Sequence, residues 1–367
     1  MDPVEFLVGL VRRYSPSGSE AAVAEYARDE LRAAGVEAYL DGAGNICAEI
    51  GAGECALLML GHIDTVEGEW PVRIEDGCLH GRGSVDAKGP FAAFATALVR
   101  MADTVSGRVV LVGAVEEETL TSRGARFIVD KYRPRYCVIG EPSGWQGLTL
   151  GYKGRLFLRY HLVSTPKHGA APGPSPMQRA VDYWNALRAY QEQVNAEKSV
   201  FYQLDLELDD VRQDATPLRT EVKLTAYARL PIGLDLAAFH ARARELSADP
   251  EAAVETEVEL IDDAPPFLAT KDNPLVQAFR RAIRARDGQP TLKVKTGTSD
   301  MNIVGPAWEV PILAYGPGDA SLDHTPLEFL RIEEYLRSID IMADVIARLC
   351  GTSTPDRSSD RVQAGES

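Results

Sequence analysis

The sequence has little cysteine and no long run of apolar residues. Its five cysteines are scattered along 367 residues, and no two form a Cys-x-x-Cys pair, which argues against a disulfide framework and against a cysteine metal site. No apolar run approaches the roughly 20 residues that a membrane-spanning helix needs, and the opening Met1-Asp2-Pro3 lacks the basic start of a secretory signal. These absences predict a cytoplasmic protein without a membrane partner.

Positive charge is also scarce. The 39 Lys and Arg side chains stand against 54 Asp and Glu side chains, which leaves a formal net charge of −15. An electrostatic field of this sign opposes the binding of nucleic acid. The length, together with 45% hydrophobic and 25% charged residues, is typical of a globular protein with two domains.

The hydrophobic pattern predicts an α/β fold with an insertion. Helical spacing alternates with short apolar strands at first, and the predicted strands are 56–60, 109–115 and 136–139. A strand-rich α+β stretch then covers 156–265, after which the α/β pattern resumes. We therefore expect a discontinuous domain, 1–155 and 266–350, with a mostly parallel central sheet flanked by helices. The polar end, 351–367, is predicted to be a disordered tail.

Chemistry-bearing side chains follow the predicted strands. His62 and Asp64 come directly after the first buried strand, and such a carboxylate fixes the imidazole tautomer that a metal ion needs. Taken alone, His62 is better explained as a hydrogen-bonded structural residue than as a metal ligand. The second segment is a glycine-rich turn, Gly81-Arg82-Gly83-Ser84-Val85-Asp86-Ala87-Lys88-Gly89. It matches no phosphate-loop pattern, and Asp86 has the alternative role of capping the next helix.

Three further segments add carboxylates and a second imidazole. They are Glu116-Glu117-Glu118, Glu141 and Asp323-His324. In an open α/β sheet such strand ends line one crevice, and adjacent buried carboxylates favour a bound cation. Two imidazoles and several carboxylates suit two divalent ions, zinc or cobalt, about 3.5–4 Å apart and bridged by one carboxylate. One unligated carboxylate would then serve as the general base of a hydrolysis.

These five motifs, in this order and spacing, resemble those of a known enzyme family. It comprises the zinc-dependent metallopeptidases and amidohydrolases that include acetylornithine deacetylase, succinyl-diaminopimelate desuccinylase and glutamate carboxypeptidases. The similarity extends from about Ser15 to Leu349 and carries the segments His62-Ile63-Asp64-Thr65-Val66, Gly81 to Gly89, the acidic triplet, Glu141-Pro142 and His324-Thr325-Pro326. The resemblance implies a metal-dependent hydrolase with a catalytic α/β domain.

The resemblance also implies a role for each motif residue. Asp86 would bridge the two ions, His62 and Glu141 would complete one metal site, and Glu118 and His324 the other. Asp64 would orient His62. Glu117 would be the general base and Glu116 stands where the family has Asp, although three identical residues leave the register of the triplet open. A cis peptide bond after Asp86 is expected.

The insertion at 156–265 resembles the family's lid and dimerisation domain. His168 resembles the lid histidine that stabilises the oxyanion in the partner subunit's site, with a surface-loop histidine as the alternative. Arg229 resembles the arginine that binds a substrate carboxylate, although Tyr227 and Thr216 stand where the family commonly has Asp and Asn. A homodimer through the lid is expected.

Finer details resemble the branch that releases lysine or ornithine from an acidic amino-group carrier protein. The carrier would be linked through the γ-carboxyl of its terminal glutamate. From 122 to 160 the chain has eight basic side chains against two acidic ones, and the run includes Arg155 as a further substrate contact. Such a run would steer an acidic carrier, but solvated helix faces explain it equally well. Asp300 would bind the lysine ammonium or cap the following helix.

Three alternatives stay open. A small-molecule deacylase of the acetylornithine or succinyl-diaminopimelate kind would use the same metal ions, and so would a dipeptidase. A non-catalytic homologue that binds an acidic partner would not need the complete set of ligands and base.

Overall fold

The computed structural model of this protein describes residues 1–166, 172–249, 251 and 254–351. The chain forms two compact units. The larger unit comprises Met1–Leu150, Ala269–Lys293 and the chain from Ser299 onward, and the smaller unit comprises Gly151–Leu268 and Val294–Thr298. His168 lies outside the described residues, and so does the predicted tail, 351–367, from 352 onward.

Helices and strands alternate along most of the described chain. The helices are α1 (Pro3–Val11), α2 (Ala21–Ala33), α3 (Lys88–Met101), α4 (Arg123–Val129), α5 (Pro176–Asn195), α6 (Leu236–Ser247), α7 (Pro274–Arg284), α8 (Met301–Trp308) and α9 (Ile332–Cys350). The strands are β1 (Glu37–Leu40), β2 (Ile46–Ile50), β3 (Ala52–His62), β4 (Arg73–Glu75), β5 (Cys78–His80), β6 (Gly107–Ala114), β7 (Tyr136–Gly140), β8 (Gly147–Tyr152), β9 (Gly154–Ser164), β10 (Asp205–Ala215), β11 (Thr220–Leu230), β12 (Val254–Ala264), β13 (Phe267–Leu268), β14 (Thr291–Lys295), β15 (Ile312–Tyr315) and β16 (Phe329–Arg331).

A mixed sheet is the centre of the larger unit. Its strands run in the order β1-β2-β6-β3-β7-β15-β8. The four inner strands β6, β3, β7 and β15 are parallel, whereas β1, β2 and β8 pair in antiparallel fashion at the edges. The predicted α/β class is confirmed, and antiparallel pairing is confined to the outer strands.

Burial of the inner strands explains their sequences. Parallel strands are covered on both faces and read as nearly continuous apolar runs, and β3 is buried without interruption from Cys55 to His62. Helices α1, α3, α7 and α9 contribute apolar side chains to the same core, among them Phe6, Phe91, Phe279 and Ile339. The rigid sheet therefore holds the residues at its strand ends in fixed positions.

The carboxyl ends of the inner strands meet at one edge of the sheet. Gly61 of β3 is in register with Gly113 of β6 on one side and with Gly140 of β7 on the other. His62 ends β3, the acidic triplet 116–118 follows β6, and Glu141 follows β7. Neighbouring parallel strands thus deliver these side chains to one place, as the sequence pattern predicts.

The smaller unit is a four-stranded antiparallel sheet with helices. Its strands run in the order β10-β11-β9-β12, and α5 and α6 pack on it through Tyr183, Leu187 and Phe239. Side chains along β9 and β11 alternate between buried and more exposed positions, as expected when one face of a sheet is covered. The predicted α+β stretch, 156–265, lies within this unit, which also takes in 151–155, 266–268 and Val294–Thr298.

Among the described residues, no helix is both long enough and apolar enough to cross a bilayer.

Candidate dinuclear metal centre

The first donor group lies at the end of β3. His62, Asp86 and Glu141 each place one ligand atom within 4.8 Å of the others. The Nε2 atom of His62 is 3.2 Å from Oδ1 of Asp86 and 3.9 Å from Oε1 of Glu141. All three residues are buried, so this group is shielded from solvent.

The second donor group shares Asp86 with the first. It consists of Asp86, Glu118 and His324, again with ligand atoms within 4.8 Å of one another. The Nε2 atom of His324 is 3.1 Å from Oδ2 of Asp86 and 3.0 Å from Oε1 of Glu118. Because Asp86 turns a different carboxylate oxygen toward each histidine, its geometry is that of a bridging group. The Asp86–Ala87 peptide bond is cis.

The three residues of the acidic triplet have different surroundings. The Glu116 carboxylate accepts hydrogen bonds from Arg123 Nε at 2.7 Å and from Thr121 Oγ1 at 2.6 Å. Glu118 contacts His324, as described above. A carboxylate oxygen of Glu117 lies within 4.8 Å of a ring nitrogen of His62. The negative charges of Glu141 and Asp300 raise the pKa of Glu117. Identical residues thus differ through their neighbours.

Asp64 supports both His62 and the triplet. Its side chain accepts hydrogen bonds from Ser17 Oγ at 2.7 Å and from the backbone N–H groups of Glu117 and Glu118, both at 3.1 Å. The Nδ1 atom of His62 lies 3.1 Å from the backbone oxygen of Asp64 and 3.4 Å from its Oδ1. Such a partner orients the imidazole ring.

The carboxylates change the protonation of both histidines. Burial opposes a charged His62, but hydrogen bonds to Asp64 and Asp86 raise its pKa well above the usual 6.5. Hydrogen bonds to Asp86 and Glu118 raise the pKa of His324 to about 10. In return, the two histidines lower the pKa of Asp86 against the effect of its burial. In the metal-free chain, the raised pKa values of His62 and His324 favour imidazolium groups, which offset part of the negative charge of the carboxylates.

Burial also raises the pKa of three acids of the site, Glu117, Glu118 and Asp300. Desolvation raises the pKa of Glu117 well above the usual 4.5, and the charges of Glu141 and Asp300 add to this effect. Desolvation likewise raises the pKa of Glu118 and brings that of Asp300 to about 7. A cluster of buried acids with raised pKa values is typical of a catalytic or metal site.

The donor set fits divalent metal ions. Imidazole and carboxylate suit zinc and its neighbours among the divalent metals, and neither donor group contains a cysteine. Lys88, two residues after Asp86, is directed elsewhere, because its Nζ donates to the backbone oxygen of Arg13 at 2.8 Å. A positive ion is what this concentration of buried negative charge requires.

Asp300 occupies the N-cap position of α8, directly before Met301, but its side chain does not cap the helix. Its side chain makes no capping hydrogen bond, and its Oδ1 has no partner among the described residues. Ser299 Oγ instead accepts the N–H of Met301 at 3.2 Å. The capping alternative is therefore wrong, and a buried carboxylate oxygen stays available for another role.

Two predicted substrate contacts lie side by side in the smaller unit. Arg229 on β11 is in register with Arg155 on β9. Arg229 donates from Nη1 to Thr298 Oγ1 at 3.5 Å, and burial together with the charge of Arg155 lowers its pKa. Two neighbouring guanidinium groups favour the binding of an anion such as a carboxylate.

The predicted basic run is divided between the two units and is partly neutralised. Lys153 is fully buried and its Nζ lies 2.5 Å from Asp205 Oδ2, while Arg159 pairs with Glu259 at 3.1 Å. These acids come from distant parts of the sequence, so a local count of charges overestimates the basic surface. The exposed basic face surrounds α4 and consists of Arg123, Arg126, Lys131, Arg133 and Arg135. Three of these side chains also have an acidic partner: Glu116 for Arg123, Asp41 for Lys131 and Asp130 for Arg133.

Sequence reasoning missed one residue beside the donor groups. Glu328 is fully buried and accepts the backbone N–H of Asp86 at 3.1 Å. Its position four residues after His324 is the only sequence signal that pointed to it. An acidic residue so close in sequence to a candidate ligand can accept hydrogen bonds from the backbone of the loops that carry the ligands.

Comparisons with known proteins agree with the motifs. The model of peptidase family M20/M25/M40 matches residues 58–348. A relative from Deinococcus radiodurans, named [LysW]-lysine hydrolase, is 40% identical over 344 residues, which are 92% of this chain and 94% of the relative.

Two solved structures share the fold. A tripeptidase from Staphylococcus aureus has a TM-score of 0.80 at 16% identity, covering 95% of this chain and 98% of that one. The YXEP protein of Bacillus subtilis, described as a dinuclear metal-binding peptidase, has a TM-score of 0.70 at 14% identity, covering 96% and 98%. The resemblance drawn from the motifs is thereby confirmed, and the chain belongs to peptidase family M20/M25/M40.

Proposed function

We propose that this protein is a dinuclear metal-dependent hydrolase that releases lysine or ornithine from an amino-group carrier protein. The cleaved bond would be the amide between the γ-carboxyl of the carrier's terminal glutamate and the amino group of the released amino acid. The observation that supports a metal-dependent hydrolase is that Asp86 belongs to both donor groups, with one carboxylate oxygen near His62 and the other near His324. The name of the Deinococcus relative supports the carrier-linked substrate.

Two metal ions, zinc or cobalt, would be held by the donor groups. His62 and Glu141 would bind one ion, Glu118 and His324 the other, and Asp86 would contribute one oxygen to each. When bound, such ions polarise the scissile carbonyl and make water more acidic. The buried strand ends would fix His62 and Glu141 before the ions arrive, whereas Asp86 and the more exposed His324 lie in loops.

Glu117 would be the general base. Its raised pKa favours the uptake of a proton from the attacking water, and the same proton would then pass to the nitrogen of the leaving amine. Asp64 would act as a positioning residue, since it holds the backbone of Glu117 and faces His62. No other carboxylate of the triplet is as suitable, because Glu116 is bound to Arg123 and Glu118 to His324.

The substrate would be recognised by charged groups. Arg229 and Arg155, in register on β11 and β9, would bind a carboxylate of the substrate. The partnerless Oδ1 of Asp300 would accept a hydrogen bond from the ammonium of the amino acid. We propose the exposed basic face around α4 as the surface that attracts the acidic carrier.

Two copies of the chain would pair through the smaller unit. This unit would serve as the lid, with His168 stabilising the oxyanion in the partner's site. The outer strands β10 and β12 of its four-stranded sheet support this assignment, because an outer strand offers backbone groups for pairing. A cytoplasmic location fits the five cysteines, which are all free.

Initial rates on two substrates test the proposed function. The metal-loaded protein should release lysine from a carrier–lysine conjugate, with a kcat/KM that falls as the salt concentration rises. N-acetylornithine should be a poorer substrate whose rate depends little on salt. A preference for N-acetylornithine would instead support the small-molecule deacylase.

Charge reversal tests the role of the basic face. Arg126→Glu should lower kcat/KM for the carrier conjugate and weaken its salt dependence, while N-acetylornithine turnover stays the same. Arg281→Glu, a matched reversal of an exposed arginine on α7, should change neither rate. Equal effects of the two reversals would contradict a carrier-binding role for α4.

A further inference from the structure

A buried ion pair lies beside the donor groups without belonging to either. Arg82 Nη1 donates to Glu328 Oε2 at 3.0 Å, and the two side chains are 7% and 0% exposed. The residues are 246 positions apart in the sequence. A charged pair this deeply buried is expensive to desolvate, so its other contacts indicate what it does.

Glu328 binds the loop that carries Asp86. Its second carboxylate oxygen, Oε1, accepts the backbone N–H groups of Val85 at 2.8 Å and of Asp86 at 3.1 Å. Burial raises the pKa of Glu328, whereas these N–H groups and that of Gly83 lower it. The carboxylate therefore holds the backbone from which the bridging side chain extends.

Arg82 binds the two neighbouring segments. Its Nη1 donates to the backbone oxygen of Thr325 at 3.4 Å, immediately after His324, and its Nε donates to the backbone oxygen of Gly68 at 3.3 Å. The guanidinium also lies over the ring of Trp70, 4.6 Å from its centroid. One side chain thus connects the loop at Gly68 with the segment of His324.

We propose that Arg82 and Glu328 are positioning residues that set the distance between Asp86 and His324. The pair joins the backbone at Asp86 to the backbone at Thr325, so its geometry determines where the two ligands face each other. This inference rests on the proposed dinuclear function. Neither residue belongs to a donor group, and the pair acts through the ligands alone.

The two metal sites differ in their dependence on this pair. The Asp86–Glu118–His324 site takes ligands from both segments that the pair connects. The His62–Asp86–Glu141 site takes only Asp86 from them, and its other ligands are fixed by β3 and β7. Loss of the pair should therefore weaken the second ion more than the first.

Calorimetric titration of the metal-free protein with Zn²⁺ tests this asymmetry. The wild-type chain should bind two ions. Glu328→Leu removes every contact of the carboxylate and should weaken one of the two binding steps by about 10- to 100-fold, as loss of a ligand's supporting partner does, while the other step stays unchanged. Glu328→Gln keeps an oxygen that accepts from Val85 and Asp86 and should restore part of the lost affinity.

Two further variants separate positioning from a general loss of stability. Arg82→Met removes the contact with Thr325 and should weaken the same binding step, which also decides the question if Glu328→Leu does not fold. Arg108→Met breaks an ion pair with Glu49 of the same unit, 2.7 Å long, and should leave both steps unchanged. Circular dichroism of each metal-free variant establishes that it is folded.

Each outcome has a distinct meaning. Wild-type affinity for both ions in Glu328→Leu or Arg82→Met would overturn the positioning role and leave the proposed function intact. Equal weakening of both steps in a folded variant would also overturn it. A wild-type chain that binds fewer than two ions would overturn the proposed function, and the positioning role with it.

Discussion

Glu116 and Arg123 form an ion pair in which Arg123 Nε donates to Glu116 Oε1 at 2.7 Å. The carboxylate of Glu116, the first residue of the triplet, is therefore engaged by Arg123. Glu116 does not belong to any of the donor groups among the described residues. This contact supports the proposed register of the triplet, in which Glu117 is the base and Glu118 the ligand.

The first prediction concerns Glu117 and Glu116. Glu117→Gln should lower kcat by about 10²- to 10⁴-fold, because an amide cannot accept the proton of the attacking water, and both metal ions should still bind. The matched variant Glu116→Gln should keep nearly full activity, since Glu116 only pairs with Arg123 and Thr121. The measurements are steady-state rates and metal content. A larger loss in Glu116→Gln would mean that the base is Glu116.

The second prediction is proton release on metal binding. The hydrogen bonds to Asp86 and Glu118 raise the pKa of His324 to about 10, so its imidazole is protonated at about pH 8 in the metal-free chain. A metal ligand must be neutral imidazole. Binding should therefore release protons, and the apparent affinity should rise as the pH approaches 10.

Titrations in two buffers with different ionisation enthalpies measure this release. His324→Gln should reduce the number of protons released. His161→Gln is the matched control, because His161 pairs with Glu221 at 3.2 Å in the smaller unit and should leave the number unchanged. Binding without net proton release would contradict the roles of both histidines as ligands.

The third prediction concerns Asp300 and stability. Burial raises its pKa from the usual 3.8 to about 7, so the folded chain binds more protons than the unfolded chain between these two values. Asp300 therefore lowers the stability of the metal-free fold as the pH rises through this window. Asp300→Asn should raise the melting temperature at about pH 8 and change it little at about pH 4.

Asp319→Asn is the control, because folding lowers the pKa of Asp319 whereas it raises that of Asp300. Hydrogen bonds from Ser321 lower the pKa of Asp319, so its charged form stabilises the fold above the usual pKa, and this contribution is lost as the pH falls. Removing that charge should lower the melting temperature at about pH 8. Melting curves of both variants at both pH values are the measurement, and a lower melting temperature for Asp300→Asn at pH 8 would contradict the sign derived from its burial.

Local patterns in the sequence were sufficient for much of the fold. The predicted strands 56–60, 109–115 and 136–139 correspond to β3, β6 and β7, because strands covered on both faces require unbroken apolar runs. Two elements were not recognised: β8, whose six residues include two glycines that weaken a strand pattern, and the seven-residue helix α4. The sequence also indicated that His62, the triplet and Glu141 share one edge, since parallel neighbouring strands end together.

The sequence by itself determined the types of donor group and the order in which the strands deliver them. The tertiary structure decided how those donors are used. Arg123 donates a hydrogen bond to the carboxylate of Glu116, and the side chain of Asp300 does not cap α8. Arg82 and Glu328 meet across 246 residues. Such contacts arise from side chains that packing brings together from distant segments, and no local periodicity records them.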